Sequence, residues 1–210
     1  MTTTDAGSTD TGTGAAETNG SARRPANRRD LILHAAIDLF HQRGYPATSV
    51  DDIGKAVDVS GPAIYRHFSS KEDLLLEAIK LAADEVHAIN GRARAESSDA
   101  RELLAGYIRA YVDVALERSA LIAVWNSEAR HLSSERRSPM SRRLRSWSTE
   151  WVEALQDARP DLDEPTARLL VNGAIGMITS IATGPAAAEG EGLADSITAM
   201  ALATLDAPVA

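Results

Sequence analysis

The sequence predicts an all-α protein in two parts: an N-terminal three-helix unit built around a helix-turn-helix, and a larger C-terminal helical domain. Two observations predict it. Apolar residues recur at spacings of three and four, the period that lines them up along one helix face. The segments that carry them are separated by hydroxyl, acid, glycine and proline residues placed where helices start and stop. A chain of 210 residues, 44% hydrophobic and 25% charged, is long enough for one or two such domains, each with its own core.

The elements follow in order. Residues 1–25 are rich in Thr, Gly, Ala and Ser with almost no large apolar residue, too little to offset the entropy of ordering, and read as a disordered tail. From about residue 26 to Arg43 the apolar set Leu31, Ile32, Ala35, Ala36, Leu39 and Phe40 marks the first helix, with Gly44 at the position after its end. Thr48 and Ser49 each stand three residues before an acid, Asp51 or Asp52, so a capping box opens a second helix that runs to Val57. Ser60 is positioned to cap a third, short helix ending by Phe68, in which Pro62 occupies a first-turn position that needs no N–H. The Ser69-Ser70-Lys71-Glu72-Asp73 run repeats the capping pattern and starts a fourth helix through Leu74, Leu75, Ala78, Ile79, Ala82, Val86 and Ile89. These elements define a unit over 26–72 and a domain over 73–210.

Past the fourth helix the pattern continues as amphipathic segments: Arg101 to Glu117, Leu121 to about His131, Met140 to Asp157, Pro165 to Ile181, and Leu193 to Leu205 after a Gly/Pro/Ala/Glu loop. All three tryptophans, Trp125, Trp147 and Trp151, belong to this region.

Composition excludes several classes. With no cysteine there is no disulfide framework, thiolate metal site or cysteine nucleophile, and a reducing cytoplasmic setting is the expectation. No apolar run reaches membrane-spanning length, and the N-terminus lacks a secretory apolar stretch. No phosphate-binding glycine loop, nucleophile elbow or dinucleotide fingerprint occurs, so no catalytic residue and no cofactor is expected. The net charge of −8 is unevenly spread: residues 23–80 hold nine Lys/Arg against eight Asp/Glu, while the acids dominate on either side. Arg23, Arg24, Arg28 and Arg29 cluster, either as a solvated arm or as one that reaches along phosphates or into a minor groove.

A short helix, a turn and a second short helix form the motif that sets its second helix in a DNA major groove. Ile64 and Phe68, four apart, must face the core with Leu39, Phe40, Ile53 and Val57. Pro62, Ala63, Tyr65, Arg66 and His67 then face outward, a combination of phenol, guanidinium and imidazole suited to phosphates and base edges. The span from Arg28 to about Ile79 resembles the DNA-binding domain of TetR-family transcriptional regulators. It carries Phe40-x-x-x-Gly44-Tyr45-x-x-Thr48-Ser49-Val50-x-x-Ile53 and then Val59-Ser60-x-x-x-Ile64-Tyr65-x-His67-Phe68-x-Ser70-Lys71-Glu72-x-Leu74. The resemblance implies that Thr48 touches phosphate, that Tyr65 and His67 contact the DNA backbone, that Lys71 anchors the start of the fourth helix on DNA, and that Ala63 and Arg66 lie where bases are read. Arg28, Ser60 and Pro62 complete the expected DNA-facing set. Two residues depart from the family pattern: Gly54 stands where alanine is usual and Asp58 where the turn glycine is common.

The helix order of the C-terminal region is similar to the regulatory domain of the same family. That similarity implies a homodimer formed through the last two long helices and a small ligand bound inside the domain. Gly173, Ala174 and Gly176 either permit close approach of a partner or are accommodated within the monomer core. Tyr107, Tyr111, Trp125, Asn126, His131, Trp147, Trp151, Asn172 and Met177 are the candidate ligand-lining residues, with core packing as the alternative for each aromatic. The run from Glu128 to Arg137, leading through Arg142, Arg143 and Arg145 to Trp147 and Trp151, is similar to a segment of regulators linked to lipid or acyl-thioester metabolism. A small, largely apolar effector is therefore expected, with an acyl-bearing molecule as one candidate. The reading is a ligand-responsive repressor of a pseudo-palindromic double-stranded operator. Its alternatives are a DNA-binding regulator without a ligand and a helical-bundle metal enzyme built on Glu128-x-x-His131. That enzyme needs a second such pair, which the five histidines do not supply. No metal site is expected.

Overall fold

A computed structural model describes residues 28–185 and 192–208, all the regular structure in them being helical. The tail over 1–25, the arm arginines Arg23 and Arg24, and most of the loop before the last helix lie outside the described residues. The helices are α1 (Arg28–Arg43), α2 (Val50–Ala56), α3 (Gly61–Ile64), α4 (Lys71–Glu96), α5 (Ala100–Glu117), α6 (Ser119–Glu128), α7 (Ser134–Ala158), α8 (Glu164–Ala182) and α9 (Leu193–Leu205), with a 3-10 turn over Ala129–His131 between α6 and α7.

The helix starts follow the capping chemistry. The Ser49 hydroxyl accepts from the Asp52 N–H at 3.1 Å, while the Asp52 carboxylate accepts from the Ser49 N–H at 3.1 Å, a reciprocal box at the head of α2. The side chains of Ser70, Asp99 and Asp163 cap α4, α5 and α8 by accepting from the N–H three residues on, without the reciprocal bond. Ser60 holds the corresponding position before α3, but its side chain makes no capping bond, contrary to expectation. Pro62 presents no N–H, and the Ser60 carbonyl accepts from Ala63 and Ile64 instead.

The α2–α3 turn explains both departures from the family pattern. Asp58 sits at φ 53°, in the left-handed region that Asp tolerates better than most residues. At Gly54 an added Cβ would lie 2.5 Å from the Val59 carbonyl oxygen. That carbonyl belongs to the backbone of the same turn, whose Val59 N–H bonds back to Gly54 O at 2.9 Å. The turn in this chain is therefore closed too tightly for alanine.

Helix α7 begins at Ser134, earlier than the Met140 start read from the sequence, and contains Pro139. The proline costs one helical N–H bond near the start of the helix, while Leu132 and Met140 on either side of it are buried and hold the segment to the core.

Two apolar cores form along α4, which at 26 residues is about 39 Å long. The first gathers Ile32, Ala36 and Phe40 of α1, Ile53 of α2, Ile64, Phe68, and Leu75 and Ile79 of α4. It also takes in Leu121, Val124, Leu132 and Met140. The N-terminal unit thus shares its core with the C-terminal region. The second core gathers the inner faces of α5, α7, α8 and α9 against the far half of α4. No described helix is long and apolar enough to cross a membrane.

Candidate DNA-contacting surface and regulatory core

Pro62, Tyr65, Arg66 and His67 are exposed, Ala63 is half-buried, and Ile64 and Phe68 are buried beneath them. Helix α3 itself is only four residues long. Tyr65, Arg66 and His67 form the tight turn that follows it, pinned by His67 N–H to Ile64 O at 2.8 Å and Phe68 N–H to Ile64 O at 3.0 Å. Burial of Ile64 and Phe68 fixes this backbone, so the three polar side chains project from a rigid base. Among the described residues, Ser60, Tyr65, Arg66 and His67 make no side-chain hydrogen bond or ion pair, and the uncapped Ser60 hydroxyl joins the same exposed edge. Arg28 is exposed, with its guanidinium 3.4 Å from the Val57 carbonyl at the end of α2.

Two expected phosphate contacts are placed otherwise. Thr48 is buried, and its hydroxyl proton is shared between the carbonyls of Gly44 at 2.9 Å and Leu39 at 3.2 Å. Its side chain is enclosed and closes the end of α1. Lys71 is half-buried, and its ammonium donates to the carbonyls of Tyr45 at 2.8 Å and Thr48 at 2.9 Å while lying 4.2 Å from the Tyr45 ring centre. It staples the α1–α2 loop to the head of α4. Pro46 removes one N–H from the loop, and the charged donor from a packed helix adds to the bonds at its carbonyls, that of Tyr45 also accepting from the Thr48 N–H at 3.3 Å.

The same loop meets the C-terminal region. The Tyr45 N–H donates to the buried Glu128 carboxylate at 3.1 Å, and the Tyr45 ring stacks on His131 at 5.4 Å between centroids. Glu128 and His131 face each other at 3.4 Å. The pair noted in the sequence as a metal-binding spacing is thus spent on joining the two parts of the chain. Beside it, Ser133 N–H donates to Glu72 at 2.8 Å, and Arg136 lies 3.5 Å from Asp73. Desolvation pushes the Tyr45 phenol up, and the bonds from Ser133 pull the Glu72 carboxyl down.

The nine candidate ligand-lining residues divide. Tyr107, Tyr111, Trp147 and Trp151 come together and are buried: Tyr107 stacks on Trp151 at 5.7 Å, Tyr111 lies 5.2 Å from Trp147, and the two indoles meet edge to face at 5.4 Å. Trp125 joins at the margin, 6.0 Å from Trp147, and Met177 packs half-buried against the same core. Asn126, Asn172 and His131 are not brought there. Asn126 is one residue past Trp125 and so turned about 100° away to solvent. Asn172 lies on the outer face of α8, and His131 is engaged by Tyr45.

Sequence reasoning missed the polar centre of this cluster. Asn90 of α4 is buried; its amide donates to the Trp147 carbonyl at 3.1 Å and to Glu150 at 3.2 Å, and its oxygen accepts from the Trp151 indole at 3.0 Å. A lone Asn at an apolar position of the α4 repeat was the available signal. The Tyr111 hydroxyl is hydrogen-bonded to Thr179 at 2.9 Å, and burial pushes its phenol up to about 12.

Residues 32–78 match the family model of bacterial regulatory proteins, tetR family, and residues 97–205 that of a tetracyclin repressor-like C-terminal domain. The HTH-type transcriptional repressor KstR2 of Mycolicibacterium smegmatis is 29% identical over 153 residues, 67% of this chain and 72% of its own length. A TetR-family regulator from Bordetella parapertussis 12822 shares the fold with a TM-score of 0.79 at 21% identity, covering 86% of this chain and 95% of that one. AibR, solved in complex with isovaleryl coenzyme A and operator DNA, shares it with a TM-score of 0.72 at 22% identity over 84% and 97% of the two chains.

Proposed function

Since the chain belongs to the TetR family of bacterial regulatory proteins and is a transcriptional regulator, we propose that it is a repressor. In this reading a homodimer occupies a pseudo-palindromic operator in the cytoplasm and is released by a small, acyl-bearing effector. The observation that carries it is the exposed edge of Ser60, Pro62, Tyr65, Arg66 and His67, whose polar side chains are unused among the described residues and rest on buried Ile64 and Phe68. Tyr65, His67 and Ser60 serve as phosphate contacts, and Ala63 and Arg66 face base edges. Repression agrees with the function named for KstR2.

Dimerisation through α8 and α9 is supported by an uncharged exposed stripe: Leu169, Asn172, Gly173 and Gly176 on α8, with Ala199, Met200 and Ala203 on α9. Gly173 and Gly176 are exposed rather than enclosed in the monomer, and nothing lies within 4 Å of a Cβ built on Gly176. Two helices from each protomer pack there by close backbone approach.

The effector reading rests on the AibR complex with an acyl-coenzyme A and on the aromatic cluster of Tyr107, Tyr111, Trp147 and Trp151. The rings are in contact, so an acyl chain enters by parting them. A ligand of that kind binds the opened form, and its preference for that form over the closed one sets the shift away from DNA. Arg142 and Arg145 are exposed on α7 five and two residues before Trp147, on the opposite side of the helix from its buried ring, so they do not face the cluster.

The test is selection from a random duplex library followed by anisotropy. The enriched sequence is expected to be a pseudo-palindrome with half-sites one or two helical turns apart. Arg66→Ala should relax preference at one position of each half-site, worth about 1–3 kcal/mol. Equal losses on selected and random duplex would reject Arg66 as a reader of bases, and a library that yields no enrichment would reject operator binding.

A further inference from the structure

Four large apolar side chains stand exposed among the described residues: Leu31 at 41%, Tyr65 at 55%, Leu169 at 68% and Met200 at 44%. The proposed DNA edge accounts for Tyr65, and the α8–α9 stripe accounts for Leu169 and Met200. Leu31 is left. It stands in a cleft of about 870 Å³ walled by α1, by α4 and by the junction of α5 and α6. That volume is within the ~300–1,000 Å³ of small-molecule sites, and none of the candidate effector residues of the aromatic core lines it.

The walls have two kinds of surface. Leu31, Leu33, Ile37, Leu81 and Leu121 supply an apolar side. The charged residues of the lining are unequal in sign. Glu77 is engaged by Arg29 and Lys80, and Asp84 by Arg143. Asp30, Asp38, Glu85 and Glu117 have no ion-pair partner among the described residues, and with Arg118 and the two cations on Glu77 counted the lining still holds six acids against three Lys/Arg. Acids in excess beside exposed leucine favour a molecule that carries positive charge on an apolar body, and they repel an anionic one such as the acyl-coenzyme A considered for the aromatic core.

We propose that this cleft is a separate small-molecule site that takes a cationic amphiphile. The ammonium or aryl cation is balanced by the unpaired acids, and the alkyl or aryl body covers Leu31 and the leucine and isoleucine side chains beside it. Because α1 belongs to the helix-turn-helix unit and the α5–α6 junction to the regulatory region, an occupant touches both. It therefore stabilises the relative placement of the two parts that this structure shows. The site stands independently of the acyl effector.

The experiment is titration calorimetry of the full-length chain, at low salt and below micellar concentrations, with decyltrimethylammonium, decyl sulfate and decyl glucoside. The cation is expected to bind at least about tenfold more tightly than either of the others, and to weaken as salt screens the acids. The Asp38→Asn, Glu117→Gln double variant should lose about tenfold in affinity for the cation. Leu31→Ser should weaken the cation as well, and Asp113→Asn, an exposed acid elsewhere on α5, should leave it unchanged, with circular dichroism confirming that every variant is folded. Equal binding of the three amphiphiles, indifference to the double variant, or no binding up to millimolar concentration would each overturn the proposal. A rise in cation affinity in Arg23→Ser, Arg24→Ser would overturn it too, since the chain's own arginine arm would then be the occupant.

Discussion

Lys71 separates two roles that lead to different measurements. As a phosphate anchor, its loss would flatten the salt dependence of DNA binding and leave the fold alone. As a staple, its loss would loosen the α1–α2 loop. Lys71→Met keeps the aliphatic stem and removes two ammonium–carbonyl bonds, at 2.8 and 2.9 Å, and the cation above the Tyr45 ring. At a half-buried site each bond is worth about 1 kcal/mol, and the cation–ring contact adds roughly 0.5 kcal/mol. The sum is about 2–3 kcal/mol, which for a chain of this size lowers the thermal midpoint by about 5–10 °C. The assay is calorimetric unfolding beside anisotropy on the selected operator at several salt concentrations. The expected result is the lowered midpoint, with weaker binding on every sequence and an unchanged salt slope. A midpoint within about 1 °C of the parent, with a slope reduced by about one unit, would refute the staple and restore the phosphate contact.

Three further outcomes follow from particular contacts. Gly54→Ala should destabilise the helix-turn-helix by about 2 kcal/mol or more, because its Cβ meets a backbone carbonyl that cannot swing aside; urea unfolding no different from the parent would contradict the close approach. Leu169→Glu with Met200→Glu places like charges on the proposed α8–α9 interface and should yield monomers at micromolar concentration in light scattering, with operator binding lost. The Tyr111 phenol is raised in the folded chain to about 12 from an unfolded value of 10.0. Its contribution is therefore complete below pH ~10 and is lost as pH rises toward ~12, on the order of 2 kcal/mol. Tyr111→Phe should remove that alkaline loss while lowering neutral stability through the missing bond to Thr179, both read from tryptophan fluorescence during unfolding.

The sequence by itself determined the elements whose cause is local. Nearest-neighbour chemistry decides a capping box, so the Ser49–Asp52 pair announced α2 and the Ser70–Asp73 pair announced α4 without reference to the rest of the chain. Helical phase likewise sent Ile64 and Phe68 inward and left Tyr65, Arg66 and His67 outward, and Asp58 took the left-handed turn its side chain tolerates. The α7 start was lost for a local reason too, since a proline is an apparent stop unless buried residues on both sides override it.

Only the tertiary structure decided which partner each polar group found. Lys71, Thr48, Glu128 and His131 all carry groups suited to an external ligand, and the Glu128–His131 pair stands far from Thr48 and Lys71 in sequence. Folding brings the α1–α2 loop against the head of α4 and the end of α6, where these groups satisfy backbone atoms and one another. Asn90 reads as a flaw in an apolar repeat until α7 supplies the Trp147 carbonyl and the Trp151 indole. The physical reason is range: a hydrogen bond acts over about 3 Å of space. Spacing along the chain records that distance only within one or two helical turns, and beyond that the packing of the cores sets which groups meet.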